Sequence, residues 1–152
     1  MEIRKAETKD IKEIYAMYDE LEKFELNLLP KKLRAAQIPW EKPPKIEKVI
    51  KGRKTRIFVA EDKRNLMGFI TCEFESPPGN PNYKEGKFDI FVKSKHRGKG
   101  IGTALIRTAE DWFGGKKCGA VFMNHYAANK NAIKFYKKLG YNVISLCSKK
   151  LL

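Results

Sequence analysis

The chain has 152 residues, of which 42% are hydrophobic and 11% aromatic; it is long enough to bury one domain's core and too apolar to be a disordered tail. Its 32 basic residues outnumber 18 acidic ones, giving a formal net charge of +14 that suits a polyanionic partner. The opening Met1-Glu2-Ile3-Arg4-Lys5 has no apolar leader segment and no apolar run approaches membrane-spanning length, so a cytoplasmic protein with no membrane partner is expected.

Glu2 to Ala6 reads as a short strand, followed by a helix with Thr8 as N-cap and Asp10 in the first turn. Ile11, Ile14, Tyr15, Tyr18 and Leu21 form the helix's apolar stripe, and Pro30 ends any continuation. From Pro30 to Arg56 the composition turns basic and proline-broken, with a short helix over Pro44 to Lys51 and Gly52 as its stop. Arg56 to Glu61 and Leu66 to Phe74 read as a hairpin joined through Asp62-Lys63-Arg64-Asn65. A Pro- and Gly-rich loop over Ser76 to Asn82 precedes a strand over Lys87 to Lys93. Ile101, Leu105, Thr108, Ala109 and Trp112 recur at helical spacing, up to a stop at Gly114-Gly115. Ala120 to Asn124 is so continuously apolar that a central strand buried on both faces is expected. A helix from about Asn129 to Leu139, capped by Gly140, and a sheet-closing strand over Tyr141 to Cys147 complete the chain. The pattern predicts one α/β (α+β) domain over residues 1–152, a mixed sheet of about six strands flanked by about four helices.

Cys72, Cys118 and Cys147 are odd in number and sit in apolar runs, which predicts buried reduced thiols. Neither His96 nor His125 makes a metal-ligand spacing with them, so no metal is expected.

The stretch from Asp89 to Ala109 reads as strand, basic glycine-rich loop, helix. Such a loop gathers free backbone N–H groups and the positive end of a helix dipole, and its glycines let a ligand approach the backbone; the natural guest is a phosphate. Spacing excludes two phosphate motifs. No Gly-x-x-x-x-Gly-Lys-Ser/Thr run exists, and the third glycine of G-x-G-x-x-G would fall at Thr103.

The spacing that fits is V-x-x-x-x-R-x-x-G-x-G, in Val92, Arg97, Gly100 and Gly102, which resembles the acetyl-coenzyme A motif of the GNAT superfamily of N-acetyltransferases. The N-x-x-A-I-x-x-Y-x-x-L-G-Y of Asn129 to Tyr141 resembles that superfamily's second signature, and the predicted element order is that of its fold. The resemblance implies direct acetyl transfer from acetyl-CoA, as cosubstrate, to a primary amine. It implies cofactor contacts from Ile90, Phe91, Val92, Arg97, Gly98, Lys99, Gly100, Ile101, Gly102, Thr103 and Asn129. It also implies an oxyanion donor from the backbone around Phe91 and Val92, where the fourth strand leaves the fifth, and a general acid at Tyr136. Many relatives use a glutamate as base where this chain has Phe88 or Asn124, and neither side chain can take a proton; Asn124 is kept as a candidate active-site residue. Asp89 resembles the aspartate of the E-D-I-Y/F-V version of the strand and is either base or scaffold, with Glu73 and Glu85 as weaker candidates.

The expected partner is an amine-bearing acceptor. The basic segment Pro30 to Arg56, with Trp40 as an apolar contact, points to one that carries negative charge. A homodimer is compatible with the sequence. Two other readings stay open: a catalytically silent acyl-CoA binder, which the missing glutamates permit, and a basic nucleic-acid-binding module, against which stands the lack of interleaved aromatic residues.

Overall fold

The structure, a computed structural model, describes residues 1–35 and 45–151. Five strands, β1 (Glu2–Lys5), β2 (Thr55–Asp62), β3 (Asn65–Glu75), β4 (Glu85–Val92) and β5 (Ala120–Phe122), form one sheet in the order β1-β2-β3-β4-β5. The first three pairings are antiparallel and β4 with β5 is parallel. Helices are α1 (Ile11–Leu26), α2 (Lys31–Ala35), α3 (Ile46–Lys51), α4 (Ile101–Gly115) and α5 (Lys130–Lys138). Backbone contacts group the chain into two compact units, Met1–Asp19 with Pro43–Met123, and Glu20–Lys42 with Asn124–Leu152.

The first unit holds the sheet and its core. Successive strand side chains point to opposite faces. On one face α4 buries Ile101, Leu105, Ile106, Ala109 and Phe113. A Cβ at Gly86 would strike the Phe113 ring, so β4 needs glycine there to let the helix come close. The Trp112 ring lies 5.6 Å from Phe74. On the other face the Tyr18 ring of α1 stands 4.7 Å from Phe69, and its hydroxyl is 3.3 Å from that of Thr71, a polar contact within the core. The β2–β3 turn is two residues long, with Lys63 and Arg64 at φ 47° and 66°; both central residues are left-handed, which matches the twist of the hairpin.

Three expectations change. First, the sheet has five described strands rather than six, because no ladder forms over Tyr141 to Cys147. There Val143, Ile144 and Leu146 are 56%, 88% and 81% exposed. Apolar β-formers make a strand only where backbone partners exist, and those partners are not encoded locally. Second, β5 is three residues long, half-buried, and the edge of the described sheet rather than its centre. Third, of the three thiols only Cys72 is buried; Cys118 is intermediate and Cys147, in the unladdered segment, is exposed.

Boundaries also shift where caps decide them. The N-cap near the chain start is Glu7 rather than Thr8, in a capping box with Asp10. Helix α4 runs through both terminal glycines, and the left-handed residue that ends it is Lys117 at φ 60°, with Cys118 N–H bonding Phe113 C=O at 3.1 Å.

Candidate functional site

The strand β4 carries an open edge, and its register shows which groups line it. Lys93 N–H donates to Met67 C=O at 2.9 Å. That makes Met67 and Lys93 a hydrogen-bonded pair, and with the unbroken register Phe69↔Phe91 and Thr71↔Asp89 the backbone groups of Asp89 and Phe91 are also committed to β3. Phe88, Ile90 and Val92 therefore turn their N–H and C=O groups to the opposite side. On that side β5 accompanies β4 only over Glu85↔Ala120, Gly86↔Val121 and Lys87↔Phe122. The last of these pairs engages the Phe88 N–H, and beyond it the parallel ladder stops, which leaves the amides of Ile90 and Val92 on the side that β5 no longer lines. An extended amide-bearing chain can pair with such an edge as an added strand would. Of the two residues expected to carry the oxyanion donor, Val92 has its amide on this open side and Phe91 has its amide on β3.

After β4 the chain makes a short 3-10 turn over Ser94–His96 and reaches α4 through Gly98 and Gly100, at φ 74° and 79°. A Cβ on either glycine would meet nothing within 4 Å, so handedness rather than crowding selects glycine here. Gly100 is the N-cap of α4, and the first helical bond of this end runs from Ala104 N–H to Gly100 C=O at 3.0 Å. Helix geometry leaves the N–H groups of Ile101, Gly102 and Thr103 pointing out of the helix end, where they can bind an anion. Arg97 donates from Nε to Val92 C=O at 2.8 Å and lies 5.5 Å from the Phe91 ring centre, so its side chain ties the loop back to the end of β4. Lys93 is engaged with Glu13 at 2.6 Å, whereas Lys95 and Lys99 are exposed. Partial desolvation, then the charges of Lys95, Lys99 and Lys93, lower the pKa of His96 below its usual value. The loop's fixed positive charge is that of its lysines and Arg97.

Asp89 is exposed, on the face opposite Phe88. Its charge adds to burial in pushing the Cys72 thiol far above its ordinary value, which keeps that thiol protonated and inert. Glu73 is exposed and Glu85 half-buried, and Phe88 is a core residue at 2% exposure.

The second unit carries Asn124, Asn129 and Tyr136. Asn124 follows β5 and is exposed. Asn129 is the N-cap of α5: its Oδ1 accepts the Ala132 N–H at 3.1 Å, a structural use of a residue expected to touch the cofactor. Tyr136 lies on α5 with aromatic rings around it, His125 at 5.7 Å, Phe135 at 5.2 Å and Tyr141 at 6.0 Å between ring centres. The end of α5 is fixed by Gly140 at φ 91° and a bond from Tyr141 N–H to Tyr136 C=O at 3.1 Å, which brings Tyr141 back onto the tyrosine. Burial, then the charge of Glu25, raise the pKa of the Tyr126 hydroxyl. The contact of His125 with Tyr136 is invisible to sequence periodicity, because the two rings meet across the turn between β5 and α5. Among the described residues no cluster of three or more His, Cys, Asp or Glu side chains could hold a metal ion, and no helix is long and apolar enough to cross a membrane.

A strand with an open edge, a left-handed glycine cap and a long helix behind it make an arrangement that can receive an anionic, amide-bearing ligand. The chain belongs to the Acetyltransferase (GNAT) family, whose model matches residues 14–141. It is 36% identical over 87 residues to an uncharacterised N-acetyltransferase of Methanocaldococcus jannaschii; the match takes in 55% of this chain and 38% of that protein, so the chain spans well under two thirds of that relative. A mutant form of a Bacillus halodurans protein has the same fold with a TM-score of 0.84, at 20% identity over 100% of this chain and 99% of the other. An aminoglycoside N-acetyltransferase solved in complex with CoA superimposes with a TM-score of 0.71, at 15% identity over 99% of this chain and 100% of that one.

Proposed function

We propose that the chain is an acetyl-CoA-dependent N-acetyltransferase that moves an acetyl group directly to a primary amine. The observation that carries this reading is the open edge of β4 running into the left-handed glycine cap of α4. The residues fit such a donor in kind: free strand amides at Ile90 and Val92 suit the amide-bearing pantetheine arm, and the N–H groups of Ile101, Gly102 and Thr103 suit a pyrophosphate. Acetyl-CoA supplies a thioester carbonyl that an amine can attack. The Val92 N–H is a preorganised donor for the negative charge that develops on the carbonyl oxygen, a contribution of about 2.7–4 kcal/mol in comparable sites. The Tyr136 hydroxyl gives its proton to the departing sulfur, which makes the thiolate a better leaving group. A neighbouring structure holding CoA and a relative named as an N-acetyltransferase support this reading.

The acceptor we infer carries negative charge beside its amine, such as an acidic peptide N-terminus or a phosphorylated or carboxylated small amine. Lys31, Lys32 and Arg34 are all exposed on α2, and Arg34 is held by Asn27 at 2.6 Å. Trp40 lies outside the described residues. A second reading, an acyl-CoA binder without turnover, rests on Phe88 and Asn124 standing where a carboxylate base would serve. One experiment separates the two: thermal stabilisation by acetyl-CoA, beside release of CoA in a panel of amines that includes acidic peptides and spermidine. Stabilisation with amine-dependent CoA release supports the transferase, stabilisation without release in any amine supports the binder, and neither response removes both.

A further inference from the structure

His125 has a buried Nδ1 with no hydrogen-bond partner among the described residues. A buried orphan polar atom is uncommon and calls for an explanation. The ring around it supplies one. His125 lies on Tyr136 almost parallel, with ring centres 5.7 Å apart and planes 16° from each other. The other rings against Tyr136 meet it differently, Phe135 tilted at 54° and Tyr141 edge-on at 67°. Tyr136 is thus bracketed on one face by the imidazole and from other directions by two benzenoid rings, an arrangement that fixes the plane in which its hydroxyl projects. With Nδ1 unpartnered, what His125 presents to Tyr136 is the flat face of its ring.

We propose that His125 is the positioning residue for Tyr136, holding the phenol's ring plane by stacking and not by giving or taking a proton. The proposal rests on the general-acid reading of Tyr136, so the test separates the two. His125→Ala removes the plate; His125→Phe keeps a plate of similar size and removes the orphan nitrogen. With acetyl-CoA and an acidic N-terminal peptide, or whichever panel amine releases CoA, His125→Ala should lower kcat about tenfold to a hundredfold, with the KM for acetyl-CoA unchanged. His125→Phe should stay within about threefold of the parent and melt no lower, because an unsatisfied polar atom has been replaced by an apolar one. In a Tyr136→Phe background, His125→Ala should cost nothing further. Independently of turnover, the ring resonances of carbon-13-labelled Tyr136 should move in His125→Ala and return toward the parent positions in His125→Phe.

Undisturbed Tyr136 resonances in His125→Ala overturn the proposal whatever the kinetics. So does a folded His125→Phe that is as slow as His125→Ala, which would make the nitrogen itself the working group. Full activity in Tyr136→Phe removes the acid role alone, and the labelled spectra still decide whether His125 holds the ring.

Discussion

Asp10 is only 5% exposed, and burial alone would raise its carboxyl pKa. The hydrogen bonds from Arg4 and from the Glu7 N–H, with the charges of Arg4 and Lys9, outweigh burial and hold it below its ordinary value. Arg4 reaches Asp10 through Nη1 at 2.7 Å and Nη2 at 2.9 Å, and it also bonds Glu61 on β2. A depressed folded-state pKa means that this carboxylate stabilises the fold above the ordinary carboxylate range, and that the contribution is lost as pH falls through the folded value. Asp10→Asn should therefore cost about 2–3 kcal/mol at pH 7, and the difference from the parent should close on acidification, as read by denaturant unfolding at several pH values. Asp89 is exposed and carries no such burial. Asp89→Asn should leave the melting temperature within about 1 °C of the parent, so that any loss of turnover reports chemistry; a large drop in melting temperature would make it a scaffold. For Tyr136→Phe the expected outcome is a loss of about 10²–10⁴-fold in kcat with acetyl-CoA affinity retained, because the proton is needed only in the transition state. Unchanged turnover across pH would reduce Tyr136 to packing.

Elements end where left-handed residues allow. At Gly100 the φ of 79° stands in open space, so Gly100→Val meets strain and no clash. A left-handed L-residue costs about 1–2 kcal/mol, and a β-branched one more, so the helix entry is expected to move and the free N–H groups with it. Acetyl-CoA at about 100 times its Kd stabilises a binder by about 2.7 kcal/mol, and Gly100→Val should abolish that shift in a thermal melt. Gly100→Asn should keep part of it, since asparagine visits the left-handed region. At the other end of α4, Lys117 pays the same strain at φ 60° without being glycine. Lys117→Gly removes about 1–2 kcal/mol of strain and adds roughly 0.5–1 kcal/mol of backbone entropy. A net rise of about 1–2 °C in melting temperature is expected, with no change in acetyl-CoA binding.

For the whole molecule, the net charge of +14 is far more than one CoA requires. The last 29 residues, 124–152, contain no acidic side chain and six lysines. Long-range attraction of an anionic acceptor is a salt-dependent effect with a Debye length of about 10 Å at 0.1 M salt. Neutralising Lys31, Lys32 and Arg34 together should raise the KM for an acidic acceptor several-fold, less so in high salt, while the KM for acetyl-CoA stays fixed. Spermidine as the preferred acceptor would exclude the anionic acceptor, because those cations repel it.

The left-handed glycine loop before α4 was legible in the sequence because its geometry is local: glycines at Gly98 and Gly100 are required by backbone handedness, and a helix follows with its first N–H groups unpaired within it. The hairpin turn at Lys63-Arg64 and the stop at Gly140 are local for the same reason. Other features depend on what lies across space. The absent ladder at Tyr141 to Cys147 and the edge position of β5 follow from which backbone edges find partners, a matter that apolar composition cannot fix. The assignment of the open amides to Ile90 and Val92 required the register of β4 on β3 and on β5. The stacking of His125 on Tyr136 required a turn to bring together two rings that no helical or strand period relates. In this protein the sequence by itself determined where the chain must bend and where a helix must begin, because φ is a property of single residues; tertiary structure decided which strands pair and which rings meet, because both are properties of distant neighbours.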